Sequence, residues 1–461
     1  MKATMKHMDT RYIFSDFGTK LTGRSGILQL MDDLGRPLPE GVTPYRLGGG
    51  NPARVPEAER LFRREMERIM ADGDSFEQLI SQYDAPQGRT QFIEAVASFL
   101  SKTYGWKIGP ENVAVSNGSQ SAFFYLFNLF SGTYSLSGDS GDAAGGSSAA
   151  DCFSDAAGGT PQRKKILFPL VPEYVGYADQ GIEPDTFEGI PARCEYYEDH
   201  TFKYFIDFEK LEARLAARRD VGALCVSRPT NPTGNVLTDF EIKRLASLAS
   251  RYQLPLFVDN AYGLPFPDIV FIDDAAPYWD ESVVLSMSLS KIGLPTLRTG
   301  IIVADAQIIS ALSNLNAIAA LASGTLGQAL AENCIASGRI VSVAHEYVRP
   351  FYKKRSEQAQ RWIHEFFAGG DYAVHKSEGA IFLWLLLKDL AIPAKELYGK
   401  LKERGVITVP GECFFFGAED PANTCHGHFD KCLRVNYSGP EDEVREGLRI
   451  LAEVYKENRI G

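Results

Sequence analysis

From about residue 112, the chain alternates short apolar runs with longer stretches of helical spacing. The runs end at turn residues or charges, and they fit strands buried on both faces: 113–116, 165–168, 223–226, 256–258, 283–286 and 301–303. Helical spacing lies between them at 119–130 and 242–252. This alternation predicts an α/β fold in which helices cover a mostly parallel sheet. Ligands of such sheets bind at the carboxyl ends of the strands.

The pattern changes after about residue 330. There the spacing predicts, in order, a long helix, a strand, a helix, a strand and a closing helix: 341–367, 379–387, 395–404, 432–437 and 440–458. This order favours a smaller α+β domain. We therefore expect three regions: an N-terminal arm that forms part of the small domain at 1–50, a large domain at 51–330, and the small domain at 331–461.

Residues 132–162 differ from the rest of the large region. Gly, Ser, Ala and Asp dominate this segment, and no apolar period runs through it. Such a composition cannot bury enough apolar surface to form a core. The segment is interpreted as a flexible insertion.

Composition and charge exclude some classes of protein. The net charge of −11 argues against a nucleic-acid partner, because phosphate binding needs a basic face. No run approaches the roughly 18–20 apolar residues of a membrane span, and the first residues lack the apolar run of a signal peptide. We expect a cytoplasmic protein that binds neither nucleic acid nor membrane.

The cysteines favour no disulfide framework, because their number, seven, is odd and the chain is long. One cluster, Cys425-His426-Gly-His428 followed by Cys432, contains residue types that zinc accepts. Its spacing matches no familiar zinc-finger pattern. A polar surface loop is the favoured interpretation, and no metal is expected.

The first candidate for chemistry is a lysine just after the predicted strand 283–286. It stands in Ser288-Leu-Ser290-Lys291, and Arg298 follows seven residues later. A lysine in apolar surroundings has a lowered pKa and can form an imine with an aldehyde, while hydroxyls and a guanidinium suit a phosphate. Taken alone the pattern is weak, because most lysines after a strand are simply solvated.

Three further motifs also follow predicted strands. Asp259 can pair with a protonated ring nitrogen or can simply cap a helix. Asn231 stands in a stiff Asn-Pro-Thr-Gly turn, which can also be a plain turn. Gly118 joins a strand to an apolar helix, whose free N–H groups suit a phosphate.

The order of these motifs is far more specific than any one of them. Along the chain they read Gly118-Ser-Gln, Tyr174, Asn231-Pro-Thr-Gly, Asp259-Asn-Ala-Tyr, Ser288-Leu-Ser-Lys and Arg298. The sequence resembles the class I and II aminotransferases over nearly its whole length outside 132–162. That resemblance implies a pyridoxal 5′-phosphate (PLP) enzyme of fold type I, with a mostly parallel seven-stranded sheet in the large domain and a smaller α+β domain.

The resemblance also implies roles for individual residues. Lys291 would link to the cofactor and later move the substrate proton, Asp259 would pair with the ring nitrogen, and Tyr262 would bind the ring oxygen together with Asn231. The implied cofactor contacts are Gly118, Ser119, Gln120, Tyr174, Asn231, Asp259, Tyr262, Ser288, Ser290, Lys291, Arg298 and, from the neighbouring subunit of a homodimer with shared active sites, Tyr83. The implied substrate contacts are Gly50, Asn231 and Arg434, the last gripping the α-carboxylate.

A narrower resemblance concerns the substrates. The stretches 47–53, 117–130, 227–235, 259–263 and 378–384 are similar to the branch of the family that exchanges an amino group between valine and pyruvate, giving 3-methyl-2-oxobutanoate and alanine. Phe17 and Ile27 of the N-terminal arm are expected to cover a small branched side chain. The alternatives are a β-lyase or a broad-specificity aminotransferase of the same fold, and less favoured, a PLP-binding regulator.

Overall fold

The computed structural model describes residues 12–23, 25–35, 41–134, 162–420 and 427–460. In these residues the strands are β1 (Tyr45–Arg46), β2 (Val113–Asn117), β3 (Gly132–Tyr134), β4 (Gln162–Val171), β5 (Phe187–Pro191), β6 (Arg193–Tyr197), β7 (Thr201–Phe205), β8 (Val221–Ser227), β9 (Leu256–Asp259), β10 (Val283–Ser288), β11 (Thr299–Val303), β12 (Tyr372–His375), β13 (Phe382–Leu387), β14 (Val406–Ile407), β15 (Val409–Pro410) and β16 (Cys432–Asn436).

The helices in the same residues are α1 (Asp16–Leu21), α2 (Gly26–Gly35), α3 (Pro56–Ala71), α4 (Ser75–Ser81), α5 (Thr90–Tyr104), α6 (Ser119–Phe130), α7 (Phe208–Ala217), α8 (Asp239–Arg251), α9 (Ala306–Ala320), α10 (Thr325–Ala336), α11 (Arg339–Val343), α12 (Arg349–Phe366), α13 (Ala394–Glu403) and α14 (Glu441–Glu457).

The larger sheet is mostly parallel, as the apolar runs predicted. Its strands lie in the order β2-β11-β10-β9-β8-β4-β3, and β5 also pairs with β4. The pairs from β10 through β9, β8 and β4 to β5 are parallel, whereas β11 is antiparallel to both neighbours. Every residue of β8 and β10 is buried, which explains why these strands show no polar alternation.

The insertion is shorter at both ends than the predicted 132–162. Strand β3 pairs antiparallel with the start of β4, so that Tyr134 lies opposite Gln162. The main-chain N–H of Thr133 also donates to Glu183, at 3.1 Å. Residues 132–134 and 162 therefore belong to the sheet, and β3 is an eighth strand beyond the seven expected. Residues 135–161 lie outside the described residues.

The second sheet has the strand order β15-β16-β13-β12-β7-β6. Strands β13 and β16 were predicted, with slightly longer bounds. The hairpin of β6 and β7 was not predicted, because its edge strand β6 is half exposed and carries charged and aromatic residues instead of an apolar run. This hairpin brings residues 193–205 into the same sheet as the C-terminal strands.

Helix bounds follow local capping signals that apolar spacing alone does not locate. Helix α8 begins three residues before the predicted 242, because Thr238 and Glu241 form a reciprocal capping box. The predicted single helix at 341–367 is interrupted: a π-helical turn, Ala344–Val348, separates α11 from α12.

Because β3 belongs to the sheet, the contribution of the insertion to stability and activity can be tested separately from that of β3. Replacing residues 135–161 by an Asn-Gly turn is expected to leave the melting temperature and the activity near those of the parent, because that turn suits two directly paired strand residues. Deleting 132–162 instead removes β3 and should lower the melting temperature. Calorimetry and activity assays on both deletions check this, and a large loss of activity in the shorter deletion would show that the segment is functional.

Candidate active site

Three parallel strands end side by side at the centre of the larger sheet. In the register of the sheet, Asp259 at the end of β9 lies between Ser227 of β8 and Ser286 of β10. Lys291 follows β10 by three residues. The carboxyl edge of the sheet therefore gathers an acid, hydroxyls and an amine at one place, where ligands of α/β sheets bind.

The amine of Lys291 points at the main chain of the glycine segment 48–50. Its Nζ donates to the carbonyl oxygen of Gly50 at 2.6 Å. Burial, together with the cations Arg434 and Arg298, lowers the pKa of Lys291 to about 8, and Asp259 opposes this shift. A lysine with this pKa has a much larger fraction of free, nucleophilic amine near neutral pH than an exposed lysine has.

The carboxylate of Asp259 is held at both oxygens. Oδ1 accepts the main-chain N–H of Ala261 at 3.1 Å, and Oδ2 accepts the hydroxyl of Tyr177. Burial raises the pKa of Asp259 to about 6, against the effects of Tyr177, Ala261 and Lys291. The acid is therefore fixed in orientation and mostly ionised at neutral pH, which suits it to hold a cationic ring nitrogen.

An aromatic loop follows β4 beside this acid. The rings of Tyr174 and Tyr177 pack edge to face, with centroids 5.1 Å apart. Gly176 leaves room for this arrangement, because a Cβ there would lie 2.4 Å from the Tyr174 ring. The side chain of Gln120 on α6 donates to the Gly176 carbonyl at 3.0 Å and ties the loop to that helix.

The guanidinium of Arg434 on β16 is buried in the same region. It donates to Asn231 Oδ1 and to the Gly48 carbonyl, both at 2.7 Å, and it lies 4.1 Å from the Phe382 ring centroid. Its Nε has no hydrogen-bond partner among the described residues. Burial lowers the pKa of Arg434 to about 10, so the group remains cationic at neutral pH. A buried cation with an unused donor is suited to an anion such as a carboxylate.

A second anion cradle lies at the start of α6. Gly118 has φ +80°, and a Cβ there would lie 2.1 Å from Nη2 of Arg298, so only glycine lets the guanidinium approach the helix end. The hydroxyl of Ser119 lies against β10, 3.4 Å from the Met287 carbonyl. A helix N-terminus next to an arginine favours phosphate.

Ser288 and Ser290, the serines of the lysine motif, shortly precede Arg298 of this cradle along the chain. Ser288 and Ser290 are both buried, and the Ser288 hydroxyl accepts the main-chain N–H of Ser290 at 3.1 Å. The Tyr262 ring centroid lies 5.5 Å from the amine of Lys291. The structure therefore brings together an amine, an acid, two arginines, three tyrosines and the helix end from distant parts of the chain.

Comparison with known proteins shows to which family this chain belongs. A family model for aminotransferase class I and II matches residues 146–451. Valine–pyruvate aminotransferase of Escherichia coli K12 is 42% identical over 442 residues, covering 95% of this chain and 97% of that protein. The chain is a class I and II aminotransferase.

Solved structures agree with this assignment. A putative amino-acid aminotransferase from Psychrobacter arcticum aligns with a TM-score of 0.87 at 40% identity, covering 97% of this chain and 99% of that one. The valine-pyruvate aminotransferase of Salmonella typhimurium aligns with a TM-score of 0.79 at 40% identity, covering 94% and 98%. The expected fold of the family is confirmed.

The residues of this aminotransferase fit PLP, the cofactor of the family. The cofactor presents an aldehyde, a ring nitrogen and a phosphate. The chain offers the low-pKa amine of Lys291 for the aldehyde, the fixed carboxylate of Asp259 for the nitrogen, and the cradle of Gly118 and Arg298 for the phosphate.

Three residues that the sequence analysis assigned to the site make no contact with Lys291, Asp259 or Arg434 that the structure records. The Tyr83 side chain is 84% exposed and that of Phe17 is 53% exposed. Ile27 is half-buried and packs against the main core through α2. Their predicted roles depend on a neighbouring subunit or on movement of the arm, and they stay predictions.

Two residues of this aminotransferase site were missed by the sequence analysis. Tyr177 holds Asp259, and the only sequence signal is its position three residues after Tyr174. Glu173 is buried, accepts the main-chain N–H of Ser227 at 2.8 Å, and has a pKa raised by burial to about 8. Glu173 therefore links the aromatic loop to the end of β8, and at neutral pH it adds little negative charge beside Asp259.

The predicted polar surface loop at 425–432 is wrong for its described part. His428 is buried, and its ring nitrogens lie 2.6 Å from the hydroxyl of Tyr196 and 2.7 Å from that of Tyr204. Cys432 is buried in β16. Cys425 and His426 lie outside the described residues. Where the structure describes the chain, it shows no group of three or more His, Cys, Asp or Glu residues suited to a metal.

None of the described helices combines the length and the apolar character that a membrane crossing requires.

Lys291→Ala should abolish both transamination and covalent attachment of PLP, whereas Lys107→Ala, a change at an exposed lysine, should affect neither. In the parent, the rate of attachment should rise as the pH increases through about 8, because deprotonation of Lys291 frees its amine. Borohydride reduction followed by mass spectrometry measures attachment. Normal stoichiometry of reducible cofactor in Lys291→Ala would contradict the role of this lysine.

Proposed function

We propose that this aminotransferase moves the amino group between valine and pyruvate, giving 3-methyl-2-oxobutanoate and alanine. The observation that carries the proposal is the 42% identity to a valine–pyruvate aminotransferase over nearly the full length of both chains. The charges of the site support the same class of substrates. They provide for one carboxylate and one phosphate.

Two arginines are the cations that act on Lys291 among the described residues. Among the described residues, Arg434 and Arg298 are the cations that lower the pKa of Lys291. Arg298 lies against the phosphate cradle at Gly118, so Arg434 is left for the substrate carboxylate. Two aromatic rings also lie against Arg434, that of Phe382 at 4.1 Å and that of Phe414 at 5.2 Å. A substrate with one carboxylate and an apolar side chain matches this arrangement.

Each residue then has a task in the proposed reaction. When bound, PLP supplies an aldehyde that carries the amino group and a ring that accepts electron density from the substrate α-carbon. Arg434 holds the α-carboxylate and so fixes the orientation of the substrate. The Lys291 amine, with its lowered pKa, takes the α-proton and gives it back. Because the two substrates use one site in turn, the kinetics should be ping-pong.

The proposal includes a homodimer with shared active sites. Tyr83 is 84% exposed in this chain, although tyrosine usually buries most of its ring. We assign its hydroxyl to the phosphate of the neighbouring subunit's cofactor, as the family resemblance implies.

The dimer proposal is tested with Tyr83→Phe. This change removes one hydroxyl donor to an anion and should weaken PLP binding about tenfold, the order of a charge-assisted hydrogen bond, without changing the dimer mass. Fluorescence titration of PLP and light scattering measure the two quantities. A monomeric parent protein, or unaltered PLP binding in the variant, would contradict the shared site.

The substrate proposal predicts a clear order of amino donors. With pyruvate as acceptor, valine should react well and aspartate poorly, because an apolar pocket leaves the second carboxylate unpaired at a cost of several kcal/mol, roughly that of one buried ion. Discrimination among valine, isoleucine and alanine should be weaker, since one methylene is worth only about 1–3 kcal/mol.

Steady-state kcat/KM values for valine, isoleucine, alanine, aspartate and cystathionine measure this order. Aspartate reacting faster than valine would refute the proposed pocket. Release of pyruvate and ammonia from cystathionine without an acceptor would identify a β-lyase instead.

A further inference from the structure

Four successive main-chain carbonyls, from Gly48 to Asn51, each accept a hydrogen bond from a different side chain. Arg434 donates to Gly48 at 2.7 Å, and Asn436 donates to Gly49. Lys291 donates to Gly50 at 2.6 Å, and Ser438 donates to Asn51 at 2.7 Å. We name residues 48–50 the triglycine segment. It contacts the amine and the guanidinium that the proposed reaction requires.

The donors come from two different parts of the fold. Arg434, Asn436 and Ser438 are spaced two residues apart along β16 and its continuation, so their side chains leave the strand on one side. The main-chain N–H of Asn436 also donates to the Leu47 carbonyl at 2.7 Å. Lys291 reaches the segment from the carboxyl edge of the larger sheet. The triglycine segment therefore connects the strand of Arg434 with the lysine.

The segment has little freedom on its β15 side. A Cβ at Gly48 would lie 3.0 Å from the carbonyl oxygen of Thr408, which is rigid main chain. At Gly50 a Cβ would lie 3.7 Å from the Lys291 amine. The absence of side chains lets donors approach the backbone closely, but it leaves the position of the segment dependent on those donors.

We propose that Asn436 is a positioning residue that holds the triglycine segment where both Lys291 and Arg434 can use it. Asn436 is 4% exposed, and both ends of its amide are engaged. Its Nδ2 donates to Gly49, and its Oδ1 accepts the main-chain N–H of Ser438 at 2.6 Å. The amide is thereby fixed in orientation at the Gly49 carbonyl. This carbonyl lies between those of Gly48 and Gly50, which accept from Arg434 and Lys291.

Loss of this amide leaves the Gly49 carbonyl buried without its donor. An unpaired buried carbonyl is unfavourable, so the segment shifts to find another partner. Because the neighbouring carbonyls move with it, Lys291 and Arg434 both lose their alignment. Asn436 touches neither substrate nor cofactor in this scheme and acts through the segment.

The test compares Asn436→Ala with Tyr437→Phe, a matched control on the same stretch. The Tyr437 hydroxyl is buried and donates to the Ala380 carbonyl at 2.7 Å, outside the triglycine segment. Both changes remove a buried side-chain donor, and similar losses of melting temperature are expected. Asn436→Ser, whose side chain is too short to replace the amide contact, serves if the alanine variant does not fold.

The first measurement is the rate at which apoprotein attaches PLP to Lys291, followed by absorbance without any substrate. Asn436→Ala should slow attachment about tenfold, the order of one well-placed hydrogen bond, while Tyr437→Phe should stay within about twofold of the parent. The second measurement is the dissociation constant of the PLP-loaded protein for 3-methylbutanoate, which is valine without its amino group. It should rise about tenfold in Asn436→Ala alone.

Parent-like rates and affinities in Asn436→Ala would overturn the proposal. Equal losses in the two variants would also overturn it, because they would reduce the role of Asn436 to general stability. The second measurement rests on the proposed function, in which Arg434 binds the carboxylate of valine. If the parent attaches PLP but does not bind 3-methylbutanoate, the substrate proposal fails, and the attachment rates alone decide the role of Asn436.

Discussion

The burial of unlike charges in one small region is the constraint on which this structure depends. Lys291 and Arg434 are the cations enclosed there, and Asp259 is the acid that opposes their effect, while the exposed Arg298 adds positive charge at the edge of the region. Burying charges is unfavourable unless each is paired or hydrogen-bonded. The fold meets this requirement with main-chain carbonyls for Lys291 and Arg434, and with Tyr177 and Ala261 for Asp259. The raised pKa of Glu173 keeps a second acid from cancelling the positive field.

This local balance is opposite in sign to the charge of the whole chain. The protein carries a net charge of −11, yet its site holds more cationic than anionic groups. A site with excess positive charge, enclosed by apolar rings such as Phe382 and Phe414, attracts phosphate and carboxylate ligands. The overall charge of the chain therefore does not describe the charge of the site.

The two sheets contribute different parts of the chemistry. The larger sheet supplies Asp259 and Lys291 at the ends of neighbouring strands, and the second sheet supplies Arg434 from β16. The triglycine segment lies between them and accepts hydrogen bonds from both sides. Substrate orientation and proton transfer consequently depend on how these two sheets are held relative to one another, and not on either sheet alone.

The sequence by itself determined the parts of this protein that local pattern controls. Buried parallel strands must be apolar throughout, so β8, β9 and β10 could be located, and the residues that follow them, including Asp259 and Lys291, could be assigned with the help of the family resemblance. Tertiary structure decided what depends on long-range contact. Asn231 meets Arg434 across 203 positions of the chain, and no local pattern records that contact. Tyr177 is an ordinary aromatic residue in sequence, and Asn436 an ordinary strand end. Their roles exist only because folding places a hydroxyl against Asp259 and an amide against Gly49, where buried groups require partners.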